Sequence, residues 1–370
     1  MSVAAIRELL ADAADAGEDC LLCTVARLDG SGYGRPGARL VLCRDGRRAG
    51  FVSGGCLERE LARLAWPATE TGPATLTFDT RGEPTRLGGR YNAGCEGCVH
   101  ILCERVRPGG GVLPPTAGDD PWKSAVAYAS TDPSVAVGSR SGAAVAEALH
   151  GPDRTHTRIV ITDGGEVGVL VEWVEPPQPL VIFGAGDDAV PLATMAAAAG
   201  RRVTVVSPQA ELLTATRFPL ADRLHTSAAE AAGRLRLTPR TACVLMTHSF
   251  ADDAALLPKL LPSPTGYVGV LGPKRRIGRL MTELHSRGEL PAEDNLAKLR
   301  SPVGLDIGAR TPEEIAVAVL AELIAFAHDR DGRPLRERAG PIHEPQEHLG
   351  PVPKREWPGE SSARPRPVVA

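Results

Sequence analysis

This 370-residue chain has little excess of one charge sign, few cysteines and few long apolar runs. Each of these features excludes a class of protein. The formal net charge at pH 7 is −3, so no overall field attracts nucleic acid or anionic lipid, and any anion site must be local. Eight cysteines are too few for a disulfide-stapled scaffold of this length. No segment reaches about 18 apolar residues without a charge, which argues against a membrane span.

The amino terminus also lacks the features of an export signal. Acidic residues interrupt positions 8–19, where such a signal has an unbroken apolar core after a basic segment. We therefore expect a cytoplasmic protein with reduced thiols and with neither nucleic acid nor membrane as a partner.

The length of the chain exceeds what one core usually fills, so two domains are expected. Residues 1–178 mix helical periodicity with short β-rich runs, which predicts an α+β domain that carries most of the cysteines, with a linker near 107–122. From 179 to 335, apolar runs of strand length alternate with helical patterns, which predicts a Rossmann-like α/β domain with a parallel sheet. Prolines without periodicity predict a disordered tail over 336–370.

Individual elements follow from the same periodicities. In the first domain they are helices over 2–16 and 57–65 and strands over 20–28, 38–44, 50–53, 75–79, 99–106, 158–163 and 168–174. In the second domain they are strands over 180–183, 203–206, 243–247, 266–271 and 303–307, and helices over 189–199, over 252–261, from 277 onward and over 315–326. For the last helix we predict Thr311 as the N-cap, Pro312 as the first residue and Glu314 as the partner in a capping box.

A glycine-rich turn follows the first predicted strand of the second domain and opens a helix. Gly184 and Gly186 match the start of a dinucleotide fingerprint, in which glycines permit a tight turn and close approach of the backbone to a phosphate. A tight strand-to-helix turn without a ligand has the same pattern. The second half of the fingerprint is missing, because the next strand ends in Ser207 instead of an acid. The acids at 187–188 would also repel a pyrophosphate.

Two further predicted strands end in polar residues that would face the same crevice. His248 ends one of them, although a single histidine there is more often buried with its hydrogen bonds satisfied. Lys274, Arg275 and Arg276 follow the next strand, and such cations beside a glycine could hold phosphate. A solvated basic turn explains the same run equally well.

Cysteines in glycine-rich loops are the candidates for chemistry in the first domain. Cys56 follows Gly54 and Gly55 at a predicted helix start, where the helix dipole and free amides favour a thiolate that binds a soft metal or carries a persulfide sulfur. Cys95 and Cys98 lie in a second glycine-rich loop and could chelate a metal or form a redox pair.

The other cysteines fall in apolar strands. Cys20 and Cys23 have the spacing of a metal knuckle, but residues i and i+3 of a strand point to opposite faces, so they are not expected to share a metal. The cysteines predicted to be packing residues are Cys20, Cys23, Cys43, Cys103 and Cys243.

Taken in order, these segments resemble the XdhC/CoxI family, the accessory proteins that mature molybdenum enzymes of the xanthine dehydrogenase and carbon monoxide dehydrogenase types. The matching segments are 30–39, 53–58 and 94–97 in the first domain and 181–189, 246–248, 271–276, 304–309 and 311–314 in the second. The resemblance spans roughly residues 5–330, and the order of the motifs makes it specific. The sequence departs from the family pattern at Gly34, Glu96, Cys98, Asp187 and Ser207.

The resemblance implies a protein that binds molybdenum cofactor, as molybdopterin or its dinucleotide form. Such a protein protects the cofactor while a cysteine desulfurase supplies the terminal sulfur, and delivers it to an apo-molybdoenzyme of the xanthine dehydrogenase class. It is a chaperone rather than a catalyst, and a homo-oligomer is compatible with this role. The residues expected to bind the cofactor are Gly54, Gly55, Cys56, Glu58, Cys95, Gly184, Gly186, His248, Lys274, Arg275 and Arg276, with Cys56 and Cys95 near the molybdenum or its sulfur.

Two alternatives from other classes remain open. A nicotinamide-dependent oxidoreductase would use the Rossmann domain with NAD(P), the less favoured cofactor, and His248 as acid or base. A thiol redox protein would use Cys95 and Cys98 as a reversible disulfide.

Overall fold

The computed structural model describes residues 3–30, 34–55, 57–80, 97–108, 110, 120–339, 348–349 and 361–362. The chain divides into two compact units: unit 1 comprises residues 1–176 with 343–370, and unit 2 comprises residues 177–342. Over the described ranges, no helix combines the length and the apolar composition needed to cross a bilayer.

Over its described residues, unit 1 contains three helices and all of the antiparallel strands. Its elements are α1 (Val3–Asp15), β1 (Cys20–Gly30), β2 (Arg39–Cys43), β3 (Arg48–Gly50), α2 (Glu58–Ala68), β4 (Ala74–Asp79), β5 (Gly97–Val106), β6 (Trp122–Ser130), α3 (Ala143–Ala148), β7 (His156–Thr162) and β8 (Gly165–Val174).

Unit 2 alternates strands with helices. Its elements are β9 (Pro179–Phe183), α4 (Ala189–Ala198), β10 (Arg202–Ser207), β11 (Asp222–His225), α5 (Ala228–Arg234), β12 (Ala242–Leu245), α6 (Phe250–Leu260), β13 (Tyr267–Val270), α7 (Lys274–Ser286), α8 (Glu293–Leu296), β14 (Leu299–Arg300) and α9 (Pro312–Ala327). Two short strands follow near the end of the chain, β15 (His348–Leu349) and β16 (Ser361–Ser362).

The first sheet of unit 1 has the order β16-β4-β5-β1-β2-β3 and is covered on both faces. Apolar residues of α1 pack on one face, where Ile6 and Ala13 meet Cys20, and α2 packs on the other, where Leu61 meets Cys23. Since both faces of β1 are buried, its apolar run is nearly continuous instead of alternating.

The second sheet of unit 1 has the order β15-β7-β8-β6. Helix α3 packs on one face through Val145 and Ala148. The opposite face, through Tyr128 and Leu170, packs against Leu102 of the first sheet. Unit 1 is therefore a mixed α+β domain, as the sequence predicts, and the structure shows that it contains two packed sheets.

The sheet of unit 2 is parallel throughout, in the order β11-β10-β9-β12-β13-β14. The chain runs outward from β9 to β11 and then returns to start again at β12, so the order reverses between β9 and β12. In open α/β sheets, ligands bind outside the carboxyl ends of the strands at such a reversal. The predicted Rossmann-like sheet is confirmed, and the residues after β9 and β12 border its crevice.

The capping box at the start of α9 is confirmed. The Thr311 hydroxyl accepts from the Glu314 amide, the Glu314 carboxylate accepts from the Thr311 amide, and Pro312 occupies the first turn. Short elements were missed, among them the helices α3, α5 and α8 and the exposed edge strand β11.

Two strand predictions were wrong. The edge strand of unit 2 is β14, and residues 303–307 are irregular, because Gly304 has φ +108° and its amide donates to Glu322 instead of to a strand. In unit 1 the third strand ends at Gly50 and does not extend to 53, because Val52 and Ser53 bond a side chain of α2. Within the predicted tail, β15 pairs with β7 and β16 pairs with β4.

Candidate functional site

In the glycine turn after β9, close packing of the backbone requires glycine at position 184. Gly184 has φ +124°, and a Cβ there would lie 2.1 Å from the carbonyl oxygen of Met246, at the end of β12. Its amide donates to the Val206 carbonyl at 2.9 Å. Close approach of three strand ends therefore requires Gly184, whether or not a ligand binds. A Cβ at Gly186 would instead meet the flexible carboxylate of Asp188, at 2.8 Å.

Both acids of this turn have cationic or ionisable partners. Arg217 contacts Asp187 at 2.8 Å and donates to the Ala185 carbonyl at 2.9 Å. Asp188 lies 3.0 Å from Nε2 of His248. These contacts reduce the negative field that the sequence predicted at the turn.

His248 is not buried, contrary to the expectation for a single histidine. Its side chain is 64% exposed, and its backbone has φ +56°. The strand β12 ends at Leu245, so the left-handed residue three positions later turns its imidazole toward Asp188 across the crevice. An exposed imidazole and a carboxylate therefore meet at the reversal point of the sheet.

The three consecutive cations form the first turn of α7 and do not form a loop. Arg276 is already used within the fold, because it donates from Nη2 at 2.8 Å and from Nε at 3.2 Å to Asp253, which is 3% exposed. Asp253 also accepts from the Thr247 hydroxyl at 2.7 Å. Lys274 and Arg275 are exposed and have no ion pair among the described residues. They are the members of the run that remain available to an anion.

In unit 1, Glu58 fixes the glycine loop that precedes α2. Its carboxylate accepts from the amides of Val52 at 3.1 Å and Ser53 at 2.8 Å, and from the Ser53 hydroxyl. That hydroxyl accepts in turn from the amides of Gly55 at 3.2 Å and Leu57 at 3.0 Å. Burial opposes the charge of Glu58, but the hydrogen bonds from Ser53 outweigh it and lower the pKa of the carboxyl. Glu58 is therefore a positioning residue for the loop.

The loop itself borders open space. A Cβ added at Gly54 or at Gly55 would meet nothing within 4 Å. Gly55 has φ +111°, so its backbone conformation favours glycine, whereas Gly54 has no such requirement. Cys56 lies outside the described residues, as does Cys95 of the other cysteine loop.

Cys98 was predicted in a loop and lies in a strand. It is 8% exposed in β5, directly opposite Asp29 of β1. The loop therefore ends before Gly97, where β5 begins, because Gly97 and Thr80 exchange hydrogen bonds that start the pairing.

A polar chain that no sequence motif predicts lies at this end of the first sheet. Asp29 accepts from Arg27 at 2.8 Å and lies 3.3 Å from Nε2 of His100, whose Nδ1 is 3.0 Å from the Thr77 hydroxyl. Burial would raise the pKa of Asp29, but hydrogen bonds from His100 and Arg27 lower it to about 2. Only strand register brings these residues together, and register is not visible in the sequence.

The strand cysteines are buried, as predicted, and four of them also form cross-strand pairs. Cys20 lies opposite Cys43, and Cys23 lies opposite Cys103. The pairs lie in different core clusters, on opposite faces of the sheet, so Cys20 and Cys23 do not meet. Among the described residues, no group of three or more His, Cys, Asp or Glu is arranged to hold a metal ion.

Comparisons with known proteins agree with these two units. The XdhC and CoxI family matches residues 13–79, and the XdhC Rossmann domain matches residues 180–323. The chain is 30% identical over 316 residues to a probable xanthine dehydrogenase subunit of Bacillus subtilis (strain 168), covering 83% of this chain and 93% of that protein. It is 26% identical over 317 residues to the molybdenum cofactor insertion chaperone PaoD of Escherichia coli (strain K12), covering 83% of each.

A solved structure has the same fold. The crystal structure of a protein described as a xanthine dehydrogenase from Bacillus halodurans matches with a TM-score of 0.68 and 29% identity, over 88% of this chain and 96% of that chain. Sequence matches in both units and a common fold over most of the chain lead to one conclusion: the chain belongs to the XdhC and CoxI family.

Proposed function

We propose that this protein binds molybdenum cofactor and delivers it to an apo-molybdoenzyme of the xanthine dehydrogenase class. The relative named as a molybdenum cofactor insertion chaperone matches over most of both chains, which supports this role. The proposal includes a cytoplasmic location, protection of the cofactor while a cysteine desulfurase adds sulfur, and a homo-oligomeric assembly. The chain acts as a carrier and not as a catalyst.

The observation that carries the proposal is the glycine loop before α2. Open space at Gly54 and Gly55 leaves room for a ligand against the backbone, and the Glu58 hydrogen bonds fix Val52 and Ser53 at the start of the loop. A preorganised loop binds without the cost of ordering. Cys56, within this loop, and Cys95 would supply thiolates, the ligand type that suits a soft metal–sulfur centre.

The chain's other contributions are electrostatic. Lys274 and Arg275, exposed in the first turn of α7, would meet the phosphate of a molybdopterin or its dinucleotide form, together with the amides of that helix end. Gly184, Gly186 and His248 border the same crevice of unit 2, so with Lys274 and Arg275 they form the proposed binding surface of that unit. Arg276 contributes indirectly, by holding Asp253 under the turn. When bound, the cofactor supplies the molybdenum centre that the client enzyme requires.

Cofactor content tests the proposal directly. The full chain is produced in cells with intact cofactor synthesis, purified without oxygen, and assayed for molybdenum and for fluorescence of the oxidised pterin. We expect both in the wild type and a severalfold loss in Cys56→Ala and Cys95→Ala. Cys243→Ala is the matched control, since this buried cysteine of unit 2 packs in a strand. Absence of both signals in the wild type, or unchanged content in the two loop variants, would overturn the proposal.

One observation keeps the oxidoreductase alternative open. The exposed His248 beside Asp188 lies at the carboxyl end of β12, on the side of the sheet where ligands bind, and imidazole is the commonest general acid or base. Against it, Ser207 occupies the position of the ribose-binding acid, is 2% exposed, and accepts from the Gln209 amide at 3.1 Å. Hydride transfer with NAD(H) or NADP(H) would favour the enzyme over the carrier.

A further inference from the structure

A cleft of about 440 Å³ opens in unit 1 between the β2–β3 turn and the outer side of α2. Its lining includes Arg44 and Arg48 from the β2–β3 hairpin and Arg59 and Trp66 from the helix. All three arginines are exposed. We call this feature the arginine cleft. Neither the glycine turn of unit 2 nor the cations of α7 contribute to it.

The acids nearest the cleft already have hydrogen-bond partners of their own. Arg47, on the same turn, donates to both Asp45 and Glu18, the second at 2.7 Å. The Glu58 carboxylate, which lines the cleft, accepts three hydrogen bonds from Val52 and Ser53. The cleft arginines are therefore left without an acidic counterpart from this turn or from the start of α2.

Arg48 and Arg59 have no ion pair within the part of the chain that the structure describes. Each guanidinium carries five N–H donors in a planar fork, and this geometry matches the oxygens of a phosphate. Two such groups facing one cleft suit a polyanion, because each guanidinium can donate to phosphate oxygens. These charge-assisted hydrogen bonds are stronger than hydrogen bonds between neutral groups.

Trp66 gives the third arginine a fixed position. The guanidinium carbon of Arg44 lies 4.1 Å from the centroid of the indole ring, within cation–π range. Arg105 also approaches this ring, at 5.5 Å, but its donors are used by the Trp66 carbonyl at 2.6 Å and the Thr69 hydroxyl at 3.1 Å. The indole therefore orients Arg44 while the N–H edge of that guanidinium stays available.

We propose that the arginine cleft binds a phosphate-bearing anion, either a diphosphate or a phosphate ester. Its volume lies in the range of small-molecule sites, roughly 300–1,000 Å³, so the anion has space for more than one phosphoryl group. Three guanidinium groups give the specificity, and the indole-held Arg44 reduces the entropy lost on binding. This site goes beyond the proposed function, because it requires no molybdenum and no thiol.

Titration of the full-length protein with inorganic pyrophosphate, at constant ionic strength and followed by calorimetry, tests the site. We expect saturable binding in the wild type and at least a tenfold loss of affinity in the double variant Arg48→Ala with Arg59→Ala. Arg63→Ala is the matched control, because Arg63 is an exposed arginine of α2 that pairs with Glu60 and does not line the cleft. Binding absent from the wild type, equal in the double variant, or equally weakened by Arg63→Ala would overturn the proposal.

Replacing both arginines with lysine retains the charge but removes the fork, so an intermediate affinity is expected. Circular dichroism of each variant checks that the fold is intact.

A second measurement identifies the source of the anion. If the double variant loses both pyrophosphate binding and copurified pterin, the cleft holds the phosphate of the cofactor. If it loses pyrophosphate binding and keeps the pterin, the cleft holds another phosphate compound. If the wild type binds pyrophosphate but contains neither molybdenum nor pterin, the proposed carrier function is wrong and the proposed anion site in the arginine cleft is supported.

Discussion

The Sγ atoms of Cys20 and Cys43 lie 2.9 Å apart, on directly opposed residues of β1 and β2. Opposed residues of antiparallel strands have Cα separations of about 4.5–5.5 Å, which a disulfide can bridge. Burial raises the pKa of the Cys20 thiol to about 12, and the Cys43 hydrogen bond adds to that effect. The pair is therefore close enough to oxidise, but little of the Cys20 thiol is ionised at neutral pH.

We expect slow alkylation of Cys20 in the native protein at pH 8, with a rate that rises as the pH approaches 12, because only the thiolate reacts. Treatment with the oxidant diamide, which accepts two electrons and two protons, should join Cys20 to Cys43. Peptide mass mapping checks both expectations, and Cys43→Ser should abolish the crosslink. A link from Cys20 to Cys23 instead would contradict the arrangement described above.

Loss of the Glu58 carboxylate should loosen the glycine loop. Glu58→Ala leaves the buried amides of Val52 and Ser53 without their acceptor, and we expect a loss of about 2–4 kcal/mol in the free energy of unfolding. Because the folded pKa is lowered, this contribution is complete above the ordinary value of 4.5 and is lost as the pH falls through the folded pKa. Urea unfolding at pH 7 and pH 4 measures it, and Glu60→Ala, on the same helix, is the control.

Asp29 should make unit 1 sensitive to acid. Its folded pKa of about 2 lies below the ordinary 3.8, so its stabilisation is present above pH 3.8 and disappears as the pH falls toward 2. The carboxylate is partly solvated, so we expect only about 1 kcal/mol. Asp29→Asn should remove that increment at pH 6 and leave the stability near pH 2 unchanged. A variant as stable as the wild type at pH 6 would show that the His100 and Arg27 contacts contribute nothing.

The Arg276–Asp253 ion pair should contribute more to the stability of unit 2 than the exposed Lys274 does. Arg276→Ala leaves Asp253, 3% exposed, without its cation, and we expect unit 2 to lose about 3 kcal/mol. Lys274→Ala should change stability by less than about 0.5 kcal/mol, because Lys274 is exposed. Hydrogen exchange of α6 and α7 resolves the two cases, and equal protection in both variants would contradict this assignment.

Local signals were enough to predict elements whose residues interact along the chain. The capping box of α9 depends on residues three apart, and the turn after β9 depends on glycines between a strand and a helix. The strand β11 escaped prediction because Asp222–His225 is largely exposed and has no apolar pattern.

Candidate sites that depend on contacts between separate elements, or on an unusual backbone conformation, could not be predicted. The sequence placed Arg276 among free cations, since nothing local indicates that a buried Asp253 from α6 would bind it. The same limit applies to His248, whose exposure results from a left-handed backbone after β12. The arginine cleft was not predicted because its cations come from two elements and no motif joins them.

The packing of α9 also sets the order in which unit 2 becomes complete during synthesis. Val319 and Leu323 share a core cluster with Leu180 and Ile182 of β9 and with Leu192 of α4. This face of the first strand therefore remains incompletely covered while the ribosome makes the rest of the sheet, and it closes only when the last helix emerges. A nascent chain at that stage exposes apolar surface, which favours association with other chains until the final helix docks.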